Sequence, residues 1–184
     1  MNKTIFNQFF DHCVGTWTTE RTYHYLTHNE VERSRTEFTI APLTDDLKLK
    51  VLKDNQYEIR ENLTSLPGFS LNFYTISENG EEVSQSLNLM FVPKVEINGG
   101  LEGDYLRDRA YEEAKPIISH FKFDNQNREL LMTTHYTQVV SVDSITLINP
   151  NLRIRKIVNY QRPEVGQALT MPRLIGFGVE LKSP

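Results

Sequence analysis

The chain has 184 residues, of which 39% are apolar and 24% are charged, and it carries a formal net charge of −4 at pH 7. These values predict one globular domain, residues 1–184, with a composition typical of soluble proteins. The negative charge argues against nucleic acid as a partner, because surfaces that bind nucleic acid are usually basic.

Cysteine content and hydropathy exclude further classes of protein. Cys13 is the only cysteine, which excludes an internal disulfide and a cysteine-rich metal site. The five histidines lack metal-ligand spacing, so we expect no metal. The N-terminus lacks the pattern of a secretory signal, and no apolar run reaches 18 residues, so we expect no membrane span. The expected location is the cytoplasm or a plastid stroma.

The first segment of the chain has a helical pattern. The apolar residues of 2–14 form one stripe at helical spacing, which predicts an α-helix that Gly15 ends as a C-cap. Cys13 lies on this stripe. It is either a small buried apolar residue or a nucleophile, and the first is favoured because no neighbour would lower its pKa.

After Gly15 the pattern alternates, as in β-strands. Strands are predicted at residues 16–27, 33–41, 47–53, 69–77, 85–92, 100–109, 117–123, 129–137 and 175–181, with a hairpin over 137–160 and a further candidate strand at 57–64. Residues 111–115 are a candidate helical turn that Pro116 limits. About ten short strands without alternating helices predict an all-β antiparallel sandwich or barrel.

The start of the first strand favours the barrel. Gly15-Thr16-Trp17 resembles the Gly-x-Trp that opens the first strand of lipocalin-type barrels, in which the tryptophan plugs one end. We therefore predict an up-and-down β-barrel with an N-terminal α-helix and a lumen that holds one small ligand. Gly15 and Trp17 are predicted to be structural, with a ligand contact as the alternative for Trp17.

The predicted hairpin carries the main candidate site. Its turn is placed at 149–151, which puts the odd-numbered residues of both strands on one face, with Asp143 diagonally across from Arg155 at roughly 7–8 Å. Arg153 shares that face. Either the face is solvated, or an acid and two arginines line a concave site, and the strand register decides between the two.

Five motifs distributed over nearly the whole chain resemble the S-type phycobiliprotein lyases, the CpcS/CpeS group of lipocalin-like chromophore lyases. They are Gly15-x-Trp17-x-x-x-Arg21-Thr-Tyr-His-Tyr25, Glu32-Arg-Ser34-x-Thr36-x-Phe38, Leu106-Arg-Asp-Arg-Ala-Tyr-Glu-Glu113, Met132-Thr-Thr134-x-Tyr136-Thr137 and Leu152-Arg-Ile-Arg155. The resemblance implies an enzyme that binds an open-chain phycobilin and attaches it, through a thioether, to one cysteine of a phycobiliprotein subunit. It also implies that the bilin is a transferred substrate and that no cofactor stays bound.

The chemistry of a bilin assigns roles to the charged candidates. Its two propionates match the planar fork of arginine, so Arg153, Arg155 and Arg21 are candidate carboxylate ligands, with solvated strand arginines as the alternative. Asp143 is the candidate acceptor for the pyrrole N–H groups, where it would favour the protonated, more electrophilic bilin. Its alternative is a partner to Arg155 only. Asp143 and Arg153 are the predicted catalytic residues.

The ring system of the bilin needs apolar walls. The candidates are aromatic residues, each of which has plain core as its alternative: Tyr23, Phe38, Phe73 and Tyr136. The expected reaction adds a thiol of the acceptor subunit, and not Cys13, across the ethylidene double bond of ring A.

Three questions stay open in the sequence. The bilin is phycocyanobilin or phycoerythrobilin, and the acceptor is a subunit of the phycocyanin, allophycocyanin or phycoerythrin type. The chain works alone, as a homodimer, or as one subunit of a heteromeric lyase with a paralogue. The alternative outside catalysis is a lipocalin-like carrier that holds a bilin without attaching it.

Overall fold

A computed structural model describes residues 2–108 and 117–184, which contain two α-helices and ten strands. The helices are α1 (Asn2–Cys13) and α2 (Asp45–Asp54), and a 3-10 helix covers Leu63–Ser65. The strands are β1 (Gly15–Tyr25), β2 (Glu30–Pro42), β3 (Gly68–Ser77), β4 (Glu82–Ile97), β5 (Gly100–Arg107), β6 (Ser119–Asp124), β7 (Glu129–His135), β8 (Val139–Asn149), β9 (Leu152–Gln161) and β10 (Pro172–Lys182).

The strands form one closed antiparallel barrel. Each strand pairs with its neighbours in the sequence, and β1 pairs with both β2 and β10, which joins the two ends of the sheet. Because alternate side chains point inward, every strand contributes residues to the lumen. The predicted ten-stranded up-and-down barrel with an N-terminal helix is confirmed.

Helix α1 fills one end of the barrel. Its apolar stripe inserts Phe6, whose ring stacks on the ring of Phe121 at 5.2 Å between centroids. Trp17 is fully buried at this end, and its indole Nε1 donates a hydrogen bond to the Cys13 carbonyl oxygen at 2.9 Å. Gly15 is the first residue of β1 and has a φ of +132°, a value that favours glycine. Aromatic packing therefore closes this end of the lumen.

The strand predicted at residues 47–53 is wrong, because this segment is helix α2. Thr44 caps the helix by accepting a hydrogen bond from the Leu47 amide, and two aspartates occupy the first turn. Val51 and Leu52 are buried in an apolar cluster with Met90 of β4 and Leu106 of β5. The alternation of leucine and lysine concealed this helical face, which packs on the outside of the barrel.

The candidate strand at residues 57–64 is also wrong. The segment holds the end of a loop and the start of the 3-10 helix, whose cap Asn62 accepts a hydrogen bond from the Thr64 amide at 3.1 Å. The other predicted strands differ from the observed ones mainly at their ends. The candidate helical turn at 111–115 lies outside the described residues, as does residue 109 of the strand predicted at 100–109.

Candidate functional site

The lumen above the aromatic plug contains a cavity of about 360 Å³. This volume is within the range of sites for small molecules and cofactors. All eight of the predicted catalytic and ligand-binding residues line it: Arg21, Tyr23, Phe38, Phe73, Tyr136, Asp143, Arg153 and Arg155. The walls differ in chemistry, because β1, β8 and β9 supply most of the charged groups, whereas β2 to β5 supply most of the apolar ones together with Glu32 and Arg107.

The register of β8 and β9 brings the hairpin candidates together. Ile145 pairs with Arg155 and Leu147 with Arg153, after a shift in register near the turn. This pairing is the predicted one and turns the odd-numbered residues of both strands into the lumen. The concave interpretation of the hairpin face is therefore correct, and the solvated one is wrong.

Asp143 and Arg155 form a two-point ion pair on this wall. The Arg155 Nε donates to Asp143 Oδ1 at 3.0 Å, and Nη2 donates to Oδ2. The Arg155 side chain is 27% exposed and the Asp143 side chain is 15% exposed, so the pair faces the cavity. Burial lowers the pKa of the Arg155 guanidinium, but the Asp143 carboxylate outweighs this and raises that pKa above its ordinary value. Arg155 is thus permanently charged and held in a fixed orientation.

A second ion pair lies deeper and includes a residue that the sequence analysis missed. Glu180 of β10 is fully buried and accepts a hydrogen bond from Arg153 Nε at 2.5 Å, and its other carboxylate oxygen lies 3.5 Å from Arg21 Nη2. The Arg153 guanidinium lies over the Trp17 ring at 4.7 Å and the Phe38 ring at 5.1 Å. Arg153 is therefore held in place by Glu180 and by the two aromatic rings, whereas Arg21 lies nearer the lumen.

The signal for Glu180 is present in the sequence of β10. On the inward face of this strand, Gly176, Gly178 and Glu180 alternate with the outward residues Phe177 and Val179. A lone acid at the end of a strand rich in apolar residues is informative because such a group needs a partner when it is buried. The cross-strand partner of Glu180 is Arg153.

Arg107 is the other residue that the sequence analysis left without a role, although it stands in one of the quoted motifs. Its Nη2 donates to the Tyr136 hydroxyl at 2.6 Å, and its guanidinium lies 5.8 Å from the centre of the Tyr105 ring. Burial raises the pKa of Tyr105, so this phenol stays neutral. Arg107 thus adds a cation to the cavity wall beside Tyr136.

Cys13 is not among the residues that line the cavity. It is 2% exposed, packed between α1 and the barrel, and burial raises the pKa of its thiol. The Arg153 guanidinium lies beside this thiol and acts to lower its pKa, contrary to the expectation that no neighbour would, but burial outweighs it. These are the properties of an inert buried thiol. No three side chains of histidine, cysteine, aspartate or glutamate lie together as a metal site within 2–108 and 117–184.

Comparison with known proteins identifies the family. Residues 5–182 match the model of a family described as CpeS-like protein. The chain belongs to the CpeS-like family. It is 58% identical over 177 residues to chromophore lyase CpcS/CpeS 1 of Synechococcus sp. (strain JA-3-3Ab), and 96% of each chain is covered.

More distant relatives agree. A CpcS/CpeS 2 lyase of Paulinella chromatophora is 30% identical over 156 residues, which cover 82% of this chain and 75% of the relative. The structure of the S-type phycobiliprotein lyase CPES from Guillardia theta superposes with a TM-score of 0.75 at 16% identity, covering 100% of this chain and 98% of the other. The structural likeness shows the shared fold, and the sequence matches agree with membership of the CpeS-like family.

Within the described part of this CpeS-like chain, neither α-helix has the length and apolar character that a membrane crossing requires.

Proposed function

We propose that this CpeS-like protein binds an open-chain phycobilin in the barrel lumen and attaches it through a thioether to a cysteine of a phycobiliprotein subunit. The observation that supports this most is the division of the barrel cavity into a wall with paired arginines and a wall of mostly aromatic and aliphatic side chains. A bilin combines the matching parts, because its two propionates are negatively charged and its tetrapyrrole ring system is largely apolar. The names of the relatives point to the same chemistry.

The charges of the cavity favour an anionic ligand. Arg21, Arg153 and Arg155 contribute three positive charges against two from Asp143 and Glu180, which leaves a net charge of +1 on this wall. Arg155 binds Asp143 through Nε and Nη2, which leaves its Nη1 group as a donor for a ligand. The Nε group of Arg21 is buried without a hydrogen-bond partner. We infer that Arg21 and Arg155 bind the propionates, and that Arg153 contributes charge from its fixed position below them.

Asp143 is placed to accept hydrogen bonds from the pyrrole N–H groups of the bilin. Its two oxygens accept from Arg155 and retain further lone pairs, because an ionised carboxylate has about four acceptor sites. Pyrrole N–H groups of a bilin held by Arg155 would lie within reach of these lone pairs. A carboxylate there stabilises the protonated ring system and so makes its ethylidene carbon more electrophilic.

The proposed reaction is an addition. The sulfur of the acceptor cysteine forms a bond to the ethylidene carbon of ring A, the double bond becomes single, and the thiol proton moves to the tetrapyrrole. No oxidant, reductant or leaving group is needed. The chain contributes one conformation of the bilin and the electrostatics of Asp143. The acceptor supplies the thiol, because Cys13 is buried and is not among the residues that line the cavity.

The test is a reconstitution with purified protein, phycocyanobilin or phycoerythrobilin, and a panel of apo-phycobiliprotein subunits. After denaturation in acid urea, we expect covalent colour on one cysteine of one subunit, in excess of the protein-free control. This result would identify the bilin and the acceptor together. A bilin spectrum that shifts on binding but leaves no covalent colour on any subunit would favour the carrier, or one half of a heteromeric lyase. Adding a paralogous chain separates these two, since only the heteromer gains activity. The reaction belongs where phycobiliprotein subunits occur, in a cyanobacterial cytoplasm or a plastid stroma.

A further inference from the structure

The inner face of β10 brings a backbone unusually close to an aromatic ring. Gly176 pairs with Tyr23 of β1 on one side and with Ile157 of β9 on the other. A β-carbon built on Gly176 would lie 2.7 Å from two carbons of the Tyr23 ring and 3.3 Å from Ile157 Cγ2. The Tyr23 ring therefore occupies the space that any side chain at position 176 would need.

Backbone conformation is not the reason for this glycine. The glycines with positive φ are Gly15, Gly80, Gly99 and Gly166, so Gly176 has the ordinary extended conformation that alanine also adopts. What excludes a β-carbon is chiefly the Tyr23 ring, with Ile157 Cγ2 as a second close neighbour. Glycine inside a strand commonly marks a place where another group approaches closely.

The same ring forms part of the cavity wall. Tyr23 lines the 360 Å³ cavity together with Arg155 and Ile157. A β-carbon on the inward face of β10 would displace the ring away from the strand and towards the lumen that the ring lines. Gly178, two residues further on, has a similar relation to Arg21, whose Cγ would lie 3.1 Å from a β-carbon there.

We propose that Gly176 is a positioning residue that sets the width of the bilin cavity by letting the Tyr23 ring lie against β10. The proposal rests on the proposed function, because the occupant it concerns is the bilin. Tyr23 then contributes an aromatic wall at the edge of the cavity without reducing the space for the tetrapyrrole rings.

The empty protein and the bilin complex should respond differently to Gly176→Ala. In the empty protein the displaced ring enters free space, so the thermal stability should change little. In the complex the ring and the bilin compete for one volume. Overpacking of this kind costs enough to weaken affinity roughly tenfold to a hundredfold. A merely structural role would instead lower stability and leave affinity unchanged.

The experiment is a double-mutant cycle of Gly176→Ala and Tyr23→Ala, with phycocyanobilin and phycoerythrobilin titrated against each variant and followed by visible absorbance. Val179→Ala, on the outward face of the same strand, is the matched control and should bind as the unaltered chain does. We expect Gly176→Ala to weaken binding in the presence of Tyr23 and to have no effect once Tyr23 is alanine. Equal weakening in both backgrounds would overturn the proposal, as would unchanged affinity of the single variant.

A crystal structure of the empty Gly176→Ala variant separates this inference from the proposed function. The Tyr23 ring should be displaced into the lumen, and a ring that stays in place while β10 shifts outward would refute the positioning role. If the unaltered chain binds neither bilin, the proposed function fails, and the crystal structure still decides the relation between Gly176 and Tyr23.

Discussion

Removing one charge from the buried ion pair of Arg153 and Glu180 should strongly lower the free energy of unfolding of this barrel. Their side chains are 5% and 0% exposed, the Nε and Oε2 atoms lie 2.5 Å apart, and two aromatic rings cover the guanidinium. Glu180→Gln preserves the shape of the side chain but removes its charge. The Arg153 cation is then left buried without its counter-charge.

Breaking one side of a buried ion pair costs about 3–5 kcal/mol. For a domain of this size, each kcal/mol lowers Tm by roughly 2–4 °C, so the variant should melt about 6–20 °C lower. Urea unfolding followed by far-UV circular dichroism gives the free energy directly. Glu37→Gln is the matched control, because Glu37 is an exposed carboxylate that pairs with Arg35 at 3.4 Å, and its removal should cost less than about 1 kcal/mol.

The pair should behave differently when both charges are removed. Arg153→Met with Glu180→Leu replaces the ions by apolar groups of similar volume, and such replacements are often neutral or stabilising. We therefore expect the double variant to recover most of the stability that Glu180→Gln loses. If Glu180→Gln unfolds at the same urea concentration as the unaltered chain, or if the double variant is as unstable as the single one, then the charge pairing does not determine the stability of this wall.

Two further predictions concern reactivity. Because burial raises the pKa of the Cys13 thiol, the native protein should react with a thiol-specific disulfide reagent at pH 8 only after denaturant is added. The same shift makes the free energy of unfolding pH-dependent: the stability that the protonated, buried thiol contributes is lost as the pH rises above about 9, the ordinary pKa of this thiol. Rapid labelling of the native protein would contradict the buried position. Asp143→Asn should still bind a bilin, since Arg155 remains, but should slow attachment roughly tenfold or more if the carboxylate polarises the bilin. Glu102→Gln, an alteration at an exposed ion pair with Lys122, is the control, and a full attachment rate in Asp143→Asn would refute the acid role.

The hairpin of β8 and β9 shows what the sequence determines well. Its turn residues and β-branched strands fixed the register, and the register fixed which side chains enter the lumen, because inward and outward positions alternate. The proximity of Asp143 to Arg155 could therefore be predicted from the sequence. Their pairing as a two-point ion pair follows from that diagonal.

Helix α2 shows where local pattern misleads. Leu47, Leu49 and Val51 alternate with lysines as a strand would, yet Leu49 is exposed and the buried face follows the helical spacing of Lys48, Val51 and Leu52. The decisive contacts are with β4 and β5, which are distant in the sequence, so the pattern alone could not select them. Tertiary packing overrides local preference in such short segments.

Glu180 and Gly176 were missed for a related reason. Their strand carries Phe177, Val179 and Leu181, and an apolar alternating face ordinarily points to the core. In this barrel those residues are 42–54% exposed, and the glycines and the acid point inward. The inversion depends on the partners across the strand, Tyr23 and Arg153, which no local window contains.

The aromatic plug at the α1 end makes the lumen a tube with one closed end, and this has a kinetic consequence for the proposed reaction. A bilin must enter and leave past the opposite strand ends, which is also where an acceptor cysteine must reach it. An acceptor that docked first would obstruct the bilin, so the productive sequence is bilin first and acceptor second. The product then leaves by withdrawal of the chromophore together with the subunit that now carries it, and excess acceptor should inhibit the reaction competitively with free bilin.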